Sequence, residues 1–221
     1  MERTAGFQDD SHTIETLRQE LERRDRDLQE LNHRIANSLQ VAAGFLAFQG
    51  KRSTNTETKE ALADAATRLE AVGKLHRYLY AHSRDAEVNM GAFLNDLCPD
   101  IAQSTGLGCS IKSDPVTLPG ETAQQLAIVV NELALNARKH GYDDGQDGVL
   151  HVECRATDGL LRLTVSDGGR GLNDDFDLDG ERGLGMSVIR GIAKQLGGTL
   201  RAEDAKGARF TLTAPLRNDG A

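Results

Sequence analysis

Apolar residues at Ile14, Leu17, Leu21, Leu28, Leu31 and Ile35 recur at spacings of 3, 4, 7, 3 and 4, and the run continues as heptad a and d positions through Ala42 and Phe45. Such a seam predicts a helix with a parallel partner, and the charged filling "RQELERRDRD" suits the exterior of a coiled coil. Beyond Ile35 the stripe widens, because Leu39, Val41, Leu46 and Phe48 add apolar flanks. A wide face suits a four-helix bundle. A polar break at 50–57 precedes Leu62, Ala65, Ala66, Leu69, Val72, Leu75 and Leu79 at helical spacing, which predicts a second helix. One such hairpin cannot cover both stripes, so the pattern predicts a homodimer. Residues 1–13 are expected to be disordered, and 14–84 to form this coiled-coil and hairpin unit.

From about Val88 strands mix with helices. "MGAFLNDLCPDIAQ" reads as a helix and "GCSIKS" as a strand, and a long helix opens near Pro119 and ends at Gly141. Two alternating strands, "GVLHVECRAT" and "LLRLTVSD", flank a turn at Asp158 and Gly159. "GMSVIRGIAKQLGG" is a helix stopped by Gly197 and Gly198, and "TLRAED" with "ARFTLTAP" closes as a hairpin. The simplest packing is α+β, a mixed sheet covered by helices on one face, spanning 88–217 with the boundary at 83–87.

Composition narrows the classes. The 221 residues hold one ordinary domain, or a small helical unit joined to a compact one. No apolar run is long enough to cross a membrane and "MERTAGFQDD" is no signal peptide, so the expected location is cytoplasmic. Cys98, Cys109 and Cys154 lack C-x-x-C spacing and read as reduced thiols rather than a zinc or disulfide framework. A net charge of −8 without a basic cluster argues against nucleic acid.

Chemistry concentrates in the second half. In "NELALNARKHG", Glu132 and Asn136 share one helix face, with Lys139 and His140 nearby. Glu and Asn oxygens hold Mg²⁺ directly or through its waters, and Lys139 can pair with phosphate. "SDGGRGL" then ends a strand with Asp167, Gly169 and Gly171, and "GLGMS" brings Gly183 and Gly185 to a helix start. A carboxylate at a strand end can accept a hydrogen bond from an adenine amino group, and glycines let backbone N–H groups approach phosphates at a helix N-terminus. Each piece alone is weak, and a bare G-x-G is more often a tight turn. The ordered set within about 55 residues, each on its proper element, is the stronger signal.

Those motifs resemble the GHKL or Bergerat ATP-binding domain shared by gyrase, chaperone ATPases, histidine kinases and mismatch-repair ATPases. "NELALNARKHG" is similar to its N box, "DGGRGL" to its G1 box, "GLGMS" to its G2 box, and "KGARF" to the strand start that follows. The resemblance implies an α/β sandwich binding ATP and Mg²⁺. Asn136 is then the Mg²⁺ ligand, Asp167 the adenine reader, Gly183 with Gly185 the phosphate cradle, and 172–182 a short lid. Glu132 matches the water-activating base of the hydrolysing members. Here it holds Mg²⁺, assists proton removal or permits slow hydrolysis, and the residues do not choose among these.

His33 falls at heptad position f, pointing away from the seam, where a solvated surface histidine is the ordinary reading. "NHRIANSLQ", however, resembles the phosphoacceptor box of HWE-related histidine kinases, which have H-R-x-x-N, and "RLEAVGKLHRYLY" resembles their second helix. The Trp-Glu that names the HWE group is absent, and Ala36 stands where the subgroup commonly has Lys. That substitution removes a cation from the box. Where the larger kinase group has Glu after the histidine this chain has Arg34, and Glu30, at i−3, is the candidate substitute. Asn37, at i+4, is placed to orient a water against a phosphorylated partner or to seat a receiver domain.

The resemblance implies a histidine kinase transmitter core: autophosphorylation of His33 from Mg-ATP, transfer to an aspartate of a response-regulator receiver domain, and control by a sensor or regulatory protein acting on the coiled coil. The rivals are a histidine phosphotransferase or phosphatase whose ATP domain is idle, an anti-sigma-type serine kinase, and a GHKL ATPase using Glu132.

Overall fold

The computed structural model describes residues 3–81, 87–143, 145–173, 176–178, 180 and 183–216. Most of the expected boundary, 83–86, lies outside them, as do positions 174, 175, 179, 181 and 182 of the expected lid. The chain divides into two compact units, 1–83 and 84–221.

The first unit is a helical hairpin, α1 (Arg3–Arg52) and α2 (Thr56–Ala81). Helix α1 begins at Arg3, inside the segment expected to be disordered, because extending a nucleated helix costs little per residue. The turn is shorter than the polar break suggested. Asn55 starts α2 by accepting the Thr58 N–H at 3.0 Å, and Lys51 and Arg52 oppose the dipole at the end of α1.

Two stripes run along α1 where one heptad seam was expected. Ala36, Ala43 and Gly50, seven residues apart, are buried in the hairpin. A Cβ on Gly50 would meet Leu62 Cβ at 3.4 Å, and one on Gly73 would meet Leu39 Cβ at 3.5 Å and the Ala36 carbonyl at 3.6 Å. Small residues therefore let α1 and α2 approach closely. The larger side chains Leu31, Ile35, Val41, Phe45 and Phe48 stay exposed, from 38% at Ile35 to 73% at Val41. An apolar strip of this extent is what a docking face looks like.

The second unit is α+β. Its elements are β1 (Val88–Asn89), α3 (Met90–Thr105), β2 (Gly108–Ser113), β3 (Thr117–Leu118), α4 (Gly120–Asn136), β4 (Val149–Thr157), β5 (Leu160–Ser166), α5 (Leu184–Gln195), β6 (Thr199–Asp204) and β7 (Ala208–Pro215). The order β2-β4-β5-β7-β6 makes a five-stranded mixed sheet, with β2 parallel to β4 and the remaining pairs antiparallel. The short β1–β3 ribbon went unseen in the sequence, since two-residue strands carry no periodicity.

Alternation puts Leu150, Val152 and Cys154 of β4, Leu161, Leu163 and Val165 of β5, and Phe210, Leu212 and Ala214 of β7 on one buried face. Helices α3, α4 and α5 cover that face with Phe93, Leu94, Leu126, Val129, Val130, Leu133 and Ile189. The β4–β5 turn has Asp158 at φ 54° and Gly159 at φ 73°, the paired positive φ that a two-residue hairpin needs. Helix α3 is capped by Asn89, which accepts the Ala92 N–H at 3.0 Å, and stopped by Gly106 at φ 70°.

Candidate functional site

Three chain segments converge beyond the C-terminal end of α4. The sequence predicted an uninterrupted α-helix to Gly141, but the α-helix ends at Asn136 and Ala137–Gly141 form a π-helical turn. Such turns recur at functional sites. The wider turn delivers the Gly141 carbonyl to the loop after β5, where it accepts the Arg170 N–H at 3.0 Å. A Cβ on Gly169 would lie 2.7 Å from the Gly141 carbonyl carbon, so only glycine permits this approach. Tyr142, immediately after the turn, closes the same junction: its hydroxyl accepts the Gly168 N–H at 2.9 Å, and its ring fills the space beside Gly148.

Asp167 sits at the centre, only 8% exposed. Its Oδ1 accepts the Gly169 N–H at 2.8 Å and the Ala208 N–H at 3.2 Å, and its own N–H donates to the Ala208 carbonyl at 3.0 Å. The third segment is thereby held in place, with Gly207 at φ 124° where a Cβ would fall 2.8 Å from the Asp167 carbonyl carbon. A buried carboxylate needs such bonds to offset its lost hydration. Gly171, at φ 85°, leads the chain past Asp204, whose Oδ2 would stand 2.6 Å from a Cβ there.

Helix α5 brings the glycine pair to the same end. Gly183 is its exposed N-cap in extended conformation, with no side chain capping the first turn, and Gly185, two residues on within that turn, is buried. An uncapped N-terminus presents N–H groups and a positive dipole end to an anion. Asn136 joins α4 to α5 through its amide, which donates to Met186 Sδ at 3.5 Å and turns Oδ1 away from the thioether. Glu132, one turn earlier, is 3% exposed, while Lys139 and His140 are exposed on the π turn. Glu132 and Asn136 lie four residues apart on one helix face, and carboxylate and amide oxygens are the hard donors that Mg²⁺ takes. Asp167, Gly169, Gly171, Asn136, Gly183 and Gly185 are thus gathered in one unit by packing. Sequence reasoning missed Tyr142 and Met186; an aromatic with a polar tip directly after the glycine of "KHG" was the available signal for Tyr142.

In the other unit, Glu30, His33 and Asn37 are all exposed on α1, with His33 and Asn37 one turn apart on one face. That face borders the exposed apolar strip, since Val41 follows Asn37 by one turn, and lies away from the Ala36–Ala43–Gly50 seam. Ala36 differs from the expectation of a cation missing beside the acceptor. It is 0% exposed and packs toward α2, so position 36 belongs to the hairpin seam.

Known proteins share both units. Residues 30–105 match the family model described as "Histidine kinase", and residues 121–218 match "Histidine kinase-, DNA gyrase B-, and HSP90-like ATPase". The sensor histidine kinase PdtaS of Mycobacterium tuberculosis is 29% identical over 216 residues, covering 91% of this chain and 43% of that protein. Blue-light-activated histidine kinase 2 of Erythrobacter litoralis is 29% identical over 184 residues, 80% of this chain and 53% of that protein. The chain therefore spans about half or less of the length of these relatives. A solved structure of the blue-light activated histidine kinase EL346 from the same genus superposes with a TM-score of 0.64 at 25% identity, covering 88% of this chain and 60% of that one. The histidine kinase domain of EL346 shares the fold, with a TM-score of 0.61 at 23% identity over 82% of this chain and 94% of that chain.

Proposed function

Since the chain belongs to the histidine kinases and joins a phosphoacceptor-type hairpin to a GHKL-type ATPase domain, we propose that it autophosphorylates His33 from ATP and passes the phosphoryl group to an aspartate of a receiver domain. The observation that carries this reading is the convergence of Asp167, the Gly141–Gly169 junction, Asn136 and the uncapped α5 N-terminus, in a chain whose other unit exposes His33.

In the proposed complex the free Oδ2 of Asp167 accepts the adenine amino group, because Oδ1 is committed to two backbone N–H groups. Phosphates lie toward the N-terminus of α5, with Lys139 as a further cation. Glu132 and Asn136 would hold Mg²⁺, which when bound neutralises charge on the β- and γ-phosphates. The neutral imidazole of His33 attacks the γ-phosphorus in line, forming the N–P bond as the bond to the β-phosphate oxygen breaks and ADP leaves. The ring proton on the other nitrogen passes to Glu30 or to water. Asn37 then orients a water for dephosphorylation or seats the receiver domain.

The exposed strip Leu31, Ile35, Val41, Phe45 and Phe48 supports a homodimer in which two hairpins form a four-helix bundle. Among the described residues no helix is long and apolar enough to cross a membrane, and the proposed site of action is the cytoplasm. An upstream sensor or regulatory protein acting through the coiled coil is the proposed input. Incubation with γ-labelled ATP and Mg²⁺ tests the reading: the label is expected to be lost in acid and retained in alkali. An acid-stable label would instead indicate a serine kinase, and phosphate release without label a hydrolase.

A further inference from the structure

Two of the three cysteines, remote from Asp167 in sequence, are brought together by the α3–β2 reversal. Helix α3 ends at Thr105 and β2 begins at Gly108 after a turn closed by Gly106. Cys98 lies seven residues before the helix end, roughly 10 Å back along the axis at 1.5 Å per residue. Cys109 is the second residue of the returning strand β2, which packs against α3.

The facing sides also agree. Leu94, Cys98, Ile101 and Thr105, at spacings of 4, 3 and 4, form the inward stripe of α3, with Leu94, Ile101 and Thr105 buried. In β2, Cys109, Ile111 and Ser113 are the less exposed residues of the alternation and point to the helix side, while Gly108, Ser110 and Lys112 point away. The two side chains are hydrogen-bonded to each other, and burial first, then that bond and the charge of Cys98, push the Cys109 thiol up to about 12. Both are half-buried, within reach of a small oxidant, whereas Cys154 of β4 is fully buried in the core between sheet and helices.

We propose that Cys98 and Cys109 form a reversible disulfide when the protein meets a hydroperoxide, fastening α3 to the edge strand β2. Cys98 is the attacking thiolate: it displaces water from hydrogen peroxide to give a sulfenic acid, and the Cys109 sulfur then displaces the sulfenic oxygen as a second water. Two thiols lose two electrons and two protons, and the peroxide gains them. A dithiol reductant reverses the step by thiol–disulfide exchange.

The test uses the intact protein. Trypsin leaves Asp85–Lys112 as one peptide containing both cysteines, while Cys154 falls on His140–Arg155. After peroxide treatment, alkylation under denaturing conditions and digestion, Asp85–Lys112 is expected unalkylated and lighter than its dithiol form by two hydrogen atoms. Cys154 should be alkylated, and dithiothreitol should restore two alkylation sites on Asp85–Lys112. Cys98→Ser should abolish the internal bond and leave Cys109 fully alkylated. Full alkylation of both cysteines after peroxide, or a bond to Cys154, would overturn the proposal. So would irreversible sulfinic acid at Cys98 with no disulfide on the way.

Discussion

Asp167→Asn separates nucleotide recognition from scaffold. Oδ1 of Asp167 accepts two backbone N–H groups, from Gly169 at 2.8 Å and Ala208 at 3.2 Å, and an asparagine carbonyl can keep both. What changes is the second position, where an amide donor replaces the carboxylate oxygen assigned to the adenine amino group. Losing a hydrogen bond to a charged acceptor costs about 1.5–3 kcal/mol, or roughly a 10- to 150-fold weaker ATP affinity. Inosine triphosphate reports the same position with opposite sign, because its exocyclic 6-carbonyl oxygen is repelled by the Asp carboxylate and accepts a hydrogen bond from the Asn amide. Asp167→Asn is therefore expected to weaken ATP, strengthen inosine triphosphate and leave the melting temperature within a few degrees of wild type. Asp167→Ala leaves two N–H groups without an acceptor at about 1–3 kcal/mol each, about 2–6 kcal/mol together, so it should lower the melting temperature by roughly 5–25 °C as well. Titration calorimetry with both nucleotides, alongside thermal melts, checks each arm. An unchanged ratio of ATP to inosine triphosphate affinity in Asp167→Asn would refute the assignment of the adenine reader.

Other consequences follow from the same contacts. Tyr142→Phe removes the acceptor of the Gly168 N–H and should cost about 1–3 kcal/mol, read as a lower melting temperature and weaker nucleotide binding. Ala36→Leu overpacks the hairpin seam against α2 and should destabilise that unit by roughly 1–3 kcal/mol in denaturant titration, whereas Ala36→Gly should not show a clash. Cys154 is pushed up to about 11, by burial first and by the charge of Asp114, against a hydrogen bond from Ser113 that lowers it. The folded protein thus holds this proton more tightly than the unfolded chain. Its contribution to stability is present below about pH 9 and is lost as pH rises toward 11, so urea midpoints should fall over that window less steeply in Cys154→Ala.

Much of the second unit was legible because its strands alternate strictly and glycines such as Gly141 and Gly197 separate its helices from its strands. The mixed sheet with helices on one face, the Asp158–Gly159 turn and the closing hairpin follow from those signals. What stayed hidden depends on tertiary contacts. The π turn at Ala137–Gly141 exists because Gly141 must reach Gly169, a pairing between residues far apart in the chain. Tyr142 and Met186 look like ordinary core residues until the fold sets them beside Gly168 and Asn136. In α1 a heptad frame merged two stripes, since Ala36, Ala43 and Gly50 are too small to stand out beside Leu31, Ile35 and Phe45. The role of Ala36 was misread for the same reason: a box aligned by resemblance says nothing of which helix face a position occupies.

The central claim is that His33 receives the γ-phosphoryl group. Trypsin releases it on Asp27–Arg34, a peptide with one histidine and no serine, threonine or tyrosine. Mass spectrometry at neutral to alkaline pH, after incubation with Mg-ATP, should find this peptide carrying one added phosphoryl group that disappears on brief acid treatment. His33→Gln protein should yield no phosphorylated peptide while binding ATP as wild type does. Phosphorylation on a peptide other than Asp27–Arg34, or label persisting in His33→Gln, would contradict the account.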